Sequence, residues 1–161
     1  MSKRLSAFAL CTLFAASSAA ASAPPPLAVY DKTPGGWITF VQRGEFCATT
    51  SPEGLSIVAA GQFGLVFPNE IYQMKIRDGD VVTVTIDAGR AWDAVAVVSP
   101  DFLPSFAVVM PPAEALVERL VSGNAITVTD GSARLSYSLA GSSAAIEQLA
   151  DCLSVLYAVE S

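Results

Sequence analysis

Histidine is absent from this chain of 161 residues. That absence removes the commonest general base and the commonest metal ligand, together with every Ser–His or Cys–His nucleophile arrangement. Lysine is almost as scarce. Beyond Lys3, only Lys32 and Lys75 could serve a serine–lysine pair, and no spacing ties either of them to a serine. The cysteines are Cys11, Cys47 and Cys152, with no CxxC among them, so neither a zinc site nor thioredoxin chemistry is supported. No apolar run reaches the roughly 20 residues that a bilayer span needs. Basic charge is also thin: 9 Lys and Arg face 15 Asp and Glu, for a formal net charge of −6. With no Lys/Arg cluster past the first few residues, binding to nucleic acid or to an anionic membrane is disfavoured.

What the chain does have begins at its start. Ser2-Lys3-Arg4, the apolar stretch Leu5 to Ala15 and the small-residue tract Ala16 to Ala23 have the basic, apolar and small-residue order of a secretory leader. Pro24 disfavours a cut after Ala23, which places the boundary after Ala21. The expected organisation is a leader over 1–21, a proline-rich flexible arm over 22–33 that includes Pro24-Pro25-Pro26, and one β-rich domain over 34–161. Loss of the leader leaves seven basic residues against 15 acidic ones, a net charge of −8. It also removes Cys11. Cys47 and Cys152 remain, an even count that favours one disulfide over two buried thiols and implies a periplasmic or secreted location. Hydrophobic residues make up 52% of the chain, enough for a substantial core.

Along the body, turn signals at Pro34-Gly35-Gly36, Arg43-Gly44-Glu45 and Ser51-Pro52-Glu53-Gly54 separate runs rich in β-branched and aromatic residues. Arg77-Asp78-Gly79-Asp80 reads as a hairpin turn between Ile71–Ile76 and Val81–Ile86, and Asp130-Gly131 as another between Ala125–Thr129 and Ala133–Leu139. Val82, Val84 and Ile86 alternate with Val81, Thr83 and Thr85, the pattern of a strand with one wet face. Pro111-Pro112 opens a mid-chain helix with Leu116, Val117, Leu120 and Val121 on one side, and Gly123 ends it. A second helix carries Ile146, Leu149, Ala150, Leu153 and Leu156 as a stripe, with Cys152 on the same side. Roughly eight strands and no βαβ alternation predict an antiparallel β-sandwich or curled sheet, with one mid-chain helix and one C-terminal helix tied by the disulfide.

Candidates for chemistry are few. Gly141-Ser142-Ser143 resembles a nucleophile elbow but lacks the second glycine and a histidine, so Ser142 and Ser143 are expected to cap the last helix. Asp78 and Asp80 could pair as acid and base or hold a cation, although at a hairpin tip they read as solvated turn residues. Candidate binding residues are Arg90 with Trp92, two apart on a strand so that the guanidinium can stack on the indole, and the loop bearing Phe102, Leu103 and Phe106. That loop is either an exposed interaction patch or a lid over the core. No metal or cofactor is implied.

Trp37 after Gly35-Gly36, Cys47 soon after, the central hairpins, and Ser138 to Ala145 leading to Leu149 and Cys152 resemble the invasion-associated locus B family of small Gram-negative periplasmic proteins. The resemblance is one of layout and covers most of the chain after the leader. It implies a periplasmic β-rich domain to which no catalytic residue carries over, only the Cys47–Cys152 pair. This sequence departs from it in having no cysteine between those two, where closer members would have more. The functional expectation is a non-catalytic binding domain whose partner is another periplasmic or extracellular protein. The alternative is an inhibitor of a lysozyme or protease, since a basic enzyme would be steered to the acidic surface. A hydrolase using paired carboxylates is the third reading.

Overall fold

The computed structural model describes residues 26–60, 62–68, 74–98, 105–110 and 114–158. Ten strands form one antiparallel sheet: β1 (Ala28–Lys32), β2 (Ile38–Gln42), β3 (Phe46–Thr50), β4 (Ser56–Ala59), β5 (Phe63–Phe67), β6 (Val81–Ile86), β7 (Ala91–Val97), β8 (Phe106–Met110), β9 (Ala125–Thr129) and β10 (Arg134–Ser138). Among the described residues two helices accompany them, α1 (Glu114–Ser122) and α2 (Ser142–Ala158). The spatial order is β1-β2-β3-β4-β5-β8-β7-β6-β9-β10. A meander of five strands is thus followed by three strands laid down in reverse, so that β8 rather than β6 joins β5.

The sheet cannot be flat. β5 and β10 stand five strands apart in this order, about 24 Å across a flat sheet at roughly 4.8 Å per strand. Yet the rings of Phe67 on β5 and Tyr137 on β10 lie 5.7 Å apart. The sheet therefore curls over and packs its two halves face to face. The bend falls at β7, whose residues 91–95 pair with β6, while only Ala96 and Val97 pair with β8 at Val108 and Ala107. Inside the curl lie Leu55, Ile57, Leu65, Phe67, Val82, Val84, Phe106, Val108, Ile126 and Val128, all fully buried. These are the inward positions of an alternating pattern.

The closure is pinned where the ends of the sheet meet. Trp37 is fully buried, and its indole N–H donates to the Ala140 carbonyl at 2.8 Å, joining the start of β2 to the turn after β10. Gly141 has a φ of 82° there, and a Cβ on it would come 3.3 Å from Trp37 Cδ1. Only glycine meets both demands without cost.

Both helices lie on the inner side. α2 crosses β1 to β3. The Cys47–Cys152 disulfide ties it to β3, and Gln148 reaches from it to the Thr39 hydroxyl at 3.2 Å and to Asp31 at 3.0 Å. Its buried line is Ser142, Ala145, Leu149 and Cys152. Ala150, placed on the stripe by the sequence, is exposed, while Ile146, Leu153 and Leu156 pack at the margin of the core. α1 buries Leu116 and Leu120. The two helices meet where the buried Ser142 hydroxyl donates to the Leu120 carbonyl at 2.6 Å. Its hydrogen bond thus runs not to its own helix, as a cap, but to the last turn of α1, satisfying a carbonyl that the helix end leaves open.

The mainly β fold, the two helices and the disulfide agree with the sequence reading. Two local expectations change. The arm expected over 22–33 carries β1, which pairs along β2 from Ala28 to Lys32. Val81–Ile86 does not form a hairpin with Ile71–Ile76, because β7 and β9 already occupy both of its edges. Residues 71–73 lie outside the described residues, and Met74 and Ile76 are buried without being part of a strand.

Candidate functional site

In an antiparallel sheet with one face in the core, the other face is normally polar. Around β6, β9 and β10 this holds apart from Val81 and Ala125: the other outward positions are Thr83, Thr85, Thr127, Thr129, Arg134, Ser136 and Ser138. In the other half it does not. There the outward residues form cross-strand rows that are almost wholly apolar. One row runs Phe40, Ala48, Val58, Gly64 and Val109 across β2, β3, β4, β5 and β8. Beside it runs Thr50, Ser56, Val66 and Ala107.

Residue size gives this face its relief. Ala48, Gly64 and Ala107 are small and sit low, while Phe40, Phe46, Val58, Phe63, Val66 and Val109 stand up around them. The result is a trough of about 500 Å³ on the outer face, closed at the β1 end by Leu27. No charged residue among those described lines it. Its side-chain polar groups are the Thr50 and Ser56 hydroxyls, hydrogen-bonded to one another at 2.8 Å, and the Gln62 amide. Past Val109 the apolar surface continues along Ala107, Val97, Val95 and Val81, whose cross-strand pairings join β8, β7 and β6. Val81, Val95 and Val109 are each more than half exposed. A continuous apolar surface of this kind marks a place of interaction.

The residues singled out from sequence are dispersed. Phe106 is fully buried and stacks on Phe67 with 5.2 Å between ring centroids, so it belongs to the core and not to a patch open to a partner. Phe102 and Leu103 lie outside the described residues. The cation over Trp92 is Arg119 of α1, 5.6 Å from the ring centroid, whereas Arg90 stands exposed just before β7. Parity places Trp92 on the inward side, where α1 can reach it. Asp80 accepts the Arg77 N–H at 2.7 Å and Asp78 the Val98 N–H at 3.0 Å. Asp80 therefore closes its own turn, while Asp78 ties that turn to the end of β7. Among the described residues, no three His, Cys, Asp or Glu side chains come together in a group able to hold a metal ion.

A second, polar crevice of about 110 Å³ lies between Gly35, Pro52, Glu53, Ser138 and Ala140. The Glu53 carboxylate there accepts the Ser138 N–H at 2.8 Å, joining the β3–β4 turn to β10. It is too small for more than a few waters.

The trough itself does have a signal in the sequence. Phe46-Cys47-Ala48, Ile57-Val58 and Gly64-Leu65-Val66 are apolar at both parities, the mark of strands covered on both faces. One cover is the core; the other face holds the trough. Comparison with protein-family models, with curated proteins and with solved structures finds no match to this chain.

Proposed function

We propose that this protein is an exported, non-catalytic binding domain acting in the periplasm or outside the cell, and that the apolar trough is its binding face. The observation that carries the reading is an uncharged recess of about 500 Å³ on a sheet whose other face already supplies the core. Ligand sites are concave, mostly apolar and roughly 300–1,000 Å³ in size, with a few polar groups to fix orientation. The Thr50, Ser56 and Gln62 side chains suit that last role. A disulfide with both cysteines fully buried supports an oxidising compartment, as does the leader-like start of the chain.

The neutral solvatochromic dye Nile red tests the face without presuming the ligand. Wild-type protein should bind it saturably at one site. Val58→Glu, which puts a carboxylate at the centre of the trough, should weaken binding by about tenfold or more, because a charge there has no partner. Val58 points outward, so the melting temperature should stay close to that of the wild type. Equal dye binding by the two proteins, or none by the wild type, overturns the reading.

A further inference from the structure

Resting on the reading of the trough as a binding face, we infer that its ligand is a single aliphatic chain with an uncharged polar head, such as an acyl ester or a long-chain alcohol. Length is the first argument. The row from Phe40 through Ala48, Val58 and Gly64 to Val109 crosses five neighbouring strands, about 19 Å at roughly 4.8 Å per strand. One acyl chain in a bilayer leaflet spans about 15 Å, half the hydrocarbon thickness. Ala48 and Gly64 on this row and Ala107 on the next are the low points of the floor, and a chain lying there passes beside Val58, which stands between Ala48 and Gly64.

Charge is the second argument. Among the described residues no Lys, Arg, Asp or Glu lines the trough, so a carboxylate or ammonium head drawn into it would lose water and gain no counter-charge from them. Nine basic residues against 15 acidic ones disfavour an anionic head further. The Thr50 and Ser56 hydroxyls, by contrast, commit one proton to their mutual bond, keep lone pairs that can accept from an alcohol, and can turn the second proton from the long 3.5 Å contact with the Gly54 carbonyl to an ester carbonyl; they sit beside the row at β3 and β4.

The third argument excludes an extended polypeptide. Such a segment would bring a backbone N–H and C=O at every residue against a lining whose side-chain polar groups are Thr50, Ser56 and Gln62. Its unpaired amides would each cost the desolvation of a buried polar group. An alkyl chain brings none.

The test displaces Nile red from the purified, disulfide-bonded protein with 1-alkanols of increasing length, and with alkanoates and their methyl esters of matched length, all below their micellar concentrations. Affinity should rise about fourfold per methylene until the trough is filled, then level off. Methyl esters should displace better than the free carboxylates. Gly64→Val, whose Cβ would meet the Val108 carbonyl at an ordinary 3.4 Å, should fill the floor and make the rise level off at a shorter chain while the melting temperature holds. Dye binding that Val58→Glu abolishes, but that no alkyl compound displaces or that shows no length dependence, overturns the aliphatic ligand and leaves the binding face standing. Carboxylates displacing as well as esters overturns the uncharged head. Absence of dye binding by the wild type removes both.

Discussion

Asp130 shows how much one carboxylate can organise when it faces backbone. In the β9–β10 turn it accepts the Ala133 N–H at 2.8 Å, the Ser132 N–H at 2.8 Å and the Ser132 hydroxyl at 2.9 Å. The Ala133 N–H is the largest influence and lowers its pKa from the ordinary 3.8; burial pulls the other way, and the Ser132 N–H and hydroxyl add to the lowering. A carboxyl whose pKa is lowered in the folded state adds stability above its unfolded pKa, and that contribution is lost as the pH falls through the folded value. Asp130→Ala should therefore cost about 1 kcal/mol at pH 6, the scale of one net hydrogen bond at an exposed site. The gap between variant and wild type should narrow as the pH drops below 4. Urea melts at pH 6 and pH 3 measure it, and a gap that does not change with pH would show that the turn does not depend on the charge. Asp87 does similar work in a left-handed backbone conformation, with φ at 50°. It accepts the Asn124 N–H at 3.1 Å and the Ala125 N–H at 3.0 Å, and so fixes the entry to β9.

At the scale of elements, the helix α2 depends on its crosslink more than on its own amphipathicity. Its buried line is short, and several of its apolar side chains stay at the margin of the core. The disulfide closes a loop of 105 residues, and in the chain-entropy model a crosslink over about that length stabilises by roughly 4 to 5 kcal/mol. Cys152→Ser should lower the melting temperature clearly and leave export intact; an unchanged melting temperature would mean that α2 holds to β3 without it. Much of this element structure is legible in the sequence. Asp130-Gly131 marks a true hairpin because β9 takes β6 on one edge only and leaves the other to β10. The same dipeptide at Asp78-Gly79 misleads, since β6 pairs forward with β7 on one edge and with the distant β9 on the other, and no local pattern announces the second. β1 hides behind the prolines that precede it, because Ala28 to Lys32 has too little alternation to declare a strand on its own. The trough was legible only as an oddity, apolar residues at both parities, for a central strand and an open binding face share that pattern. Nor could sequence spacing give Arg119 over Trp92, which is a pairing between distant elements.

At the scale of the whole molecule, the decisive event is the curling of the sheet, and Trp37 holds it shut. The indole fills space between β2 and the turn after β10 and makes the 2.8 Å bond to Ala140. Trp37→Phe should cost about 1 kcal/mol for the lost hydrogen bond, and Trp37→Ala about 3 to 5 kcal/mol for the cavity as well. Chemical denaturation followed by far-UV circular dichroism measures both, and equal stability of the two variants would show that the contact is not what closes the sheet.

That closure also sets an order of events. Two of the strand pairings beyond the first meander, β5 with β8 and β6 with β9, join parts of the chain roughly 40 residues apart, and such non-local pairings make folding slow compared with a helical domain of the same length. Cys47 is laid down early and Cys152 near the end, 105 residues later, on the helix that docks inside the curl. The native crosslink aligns once α2, the last element of the chain, has docked on β1 to β3. Oxidation is therefore a late step. Until it occurs, an emerging chain still exposes the interior of its sheet together with its apolar outer face.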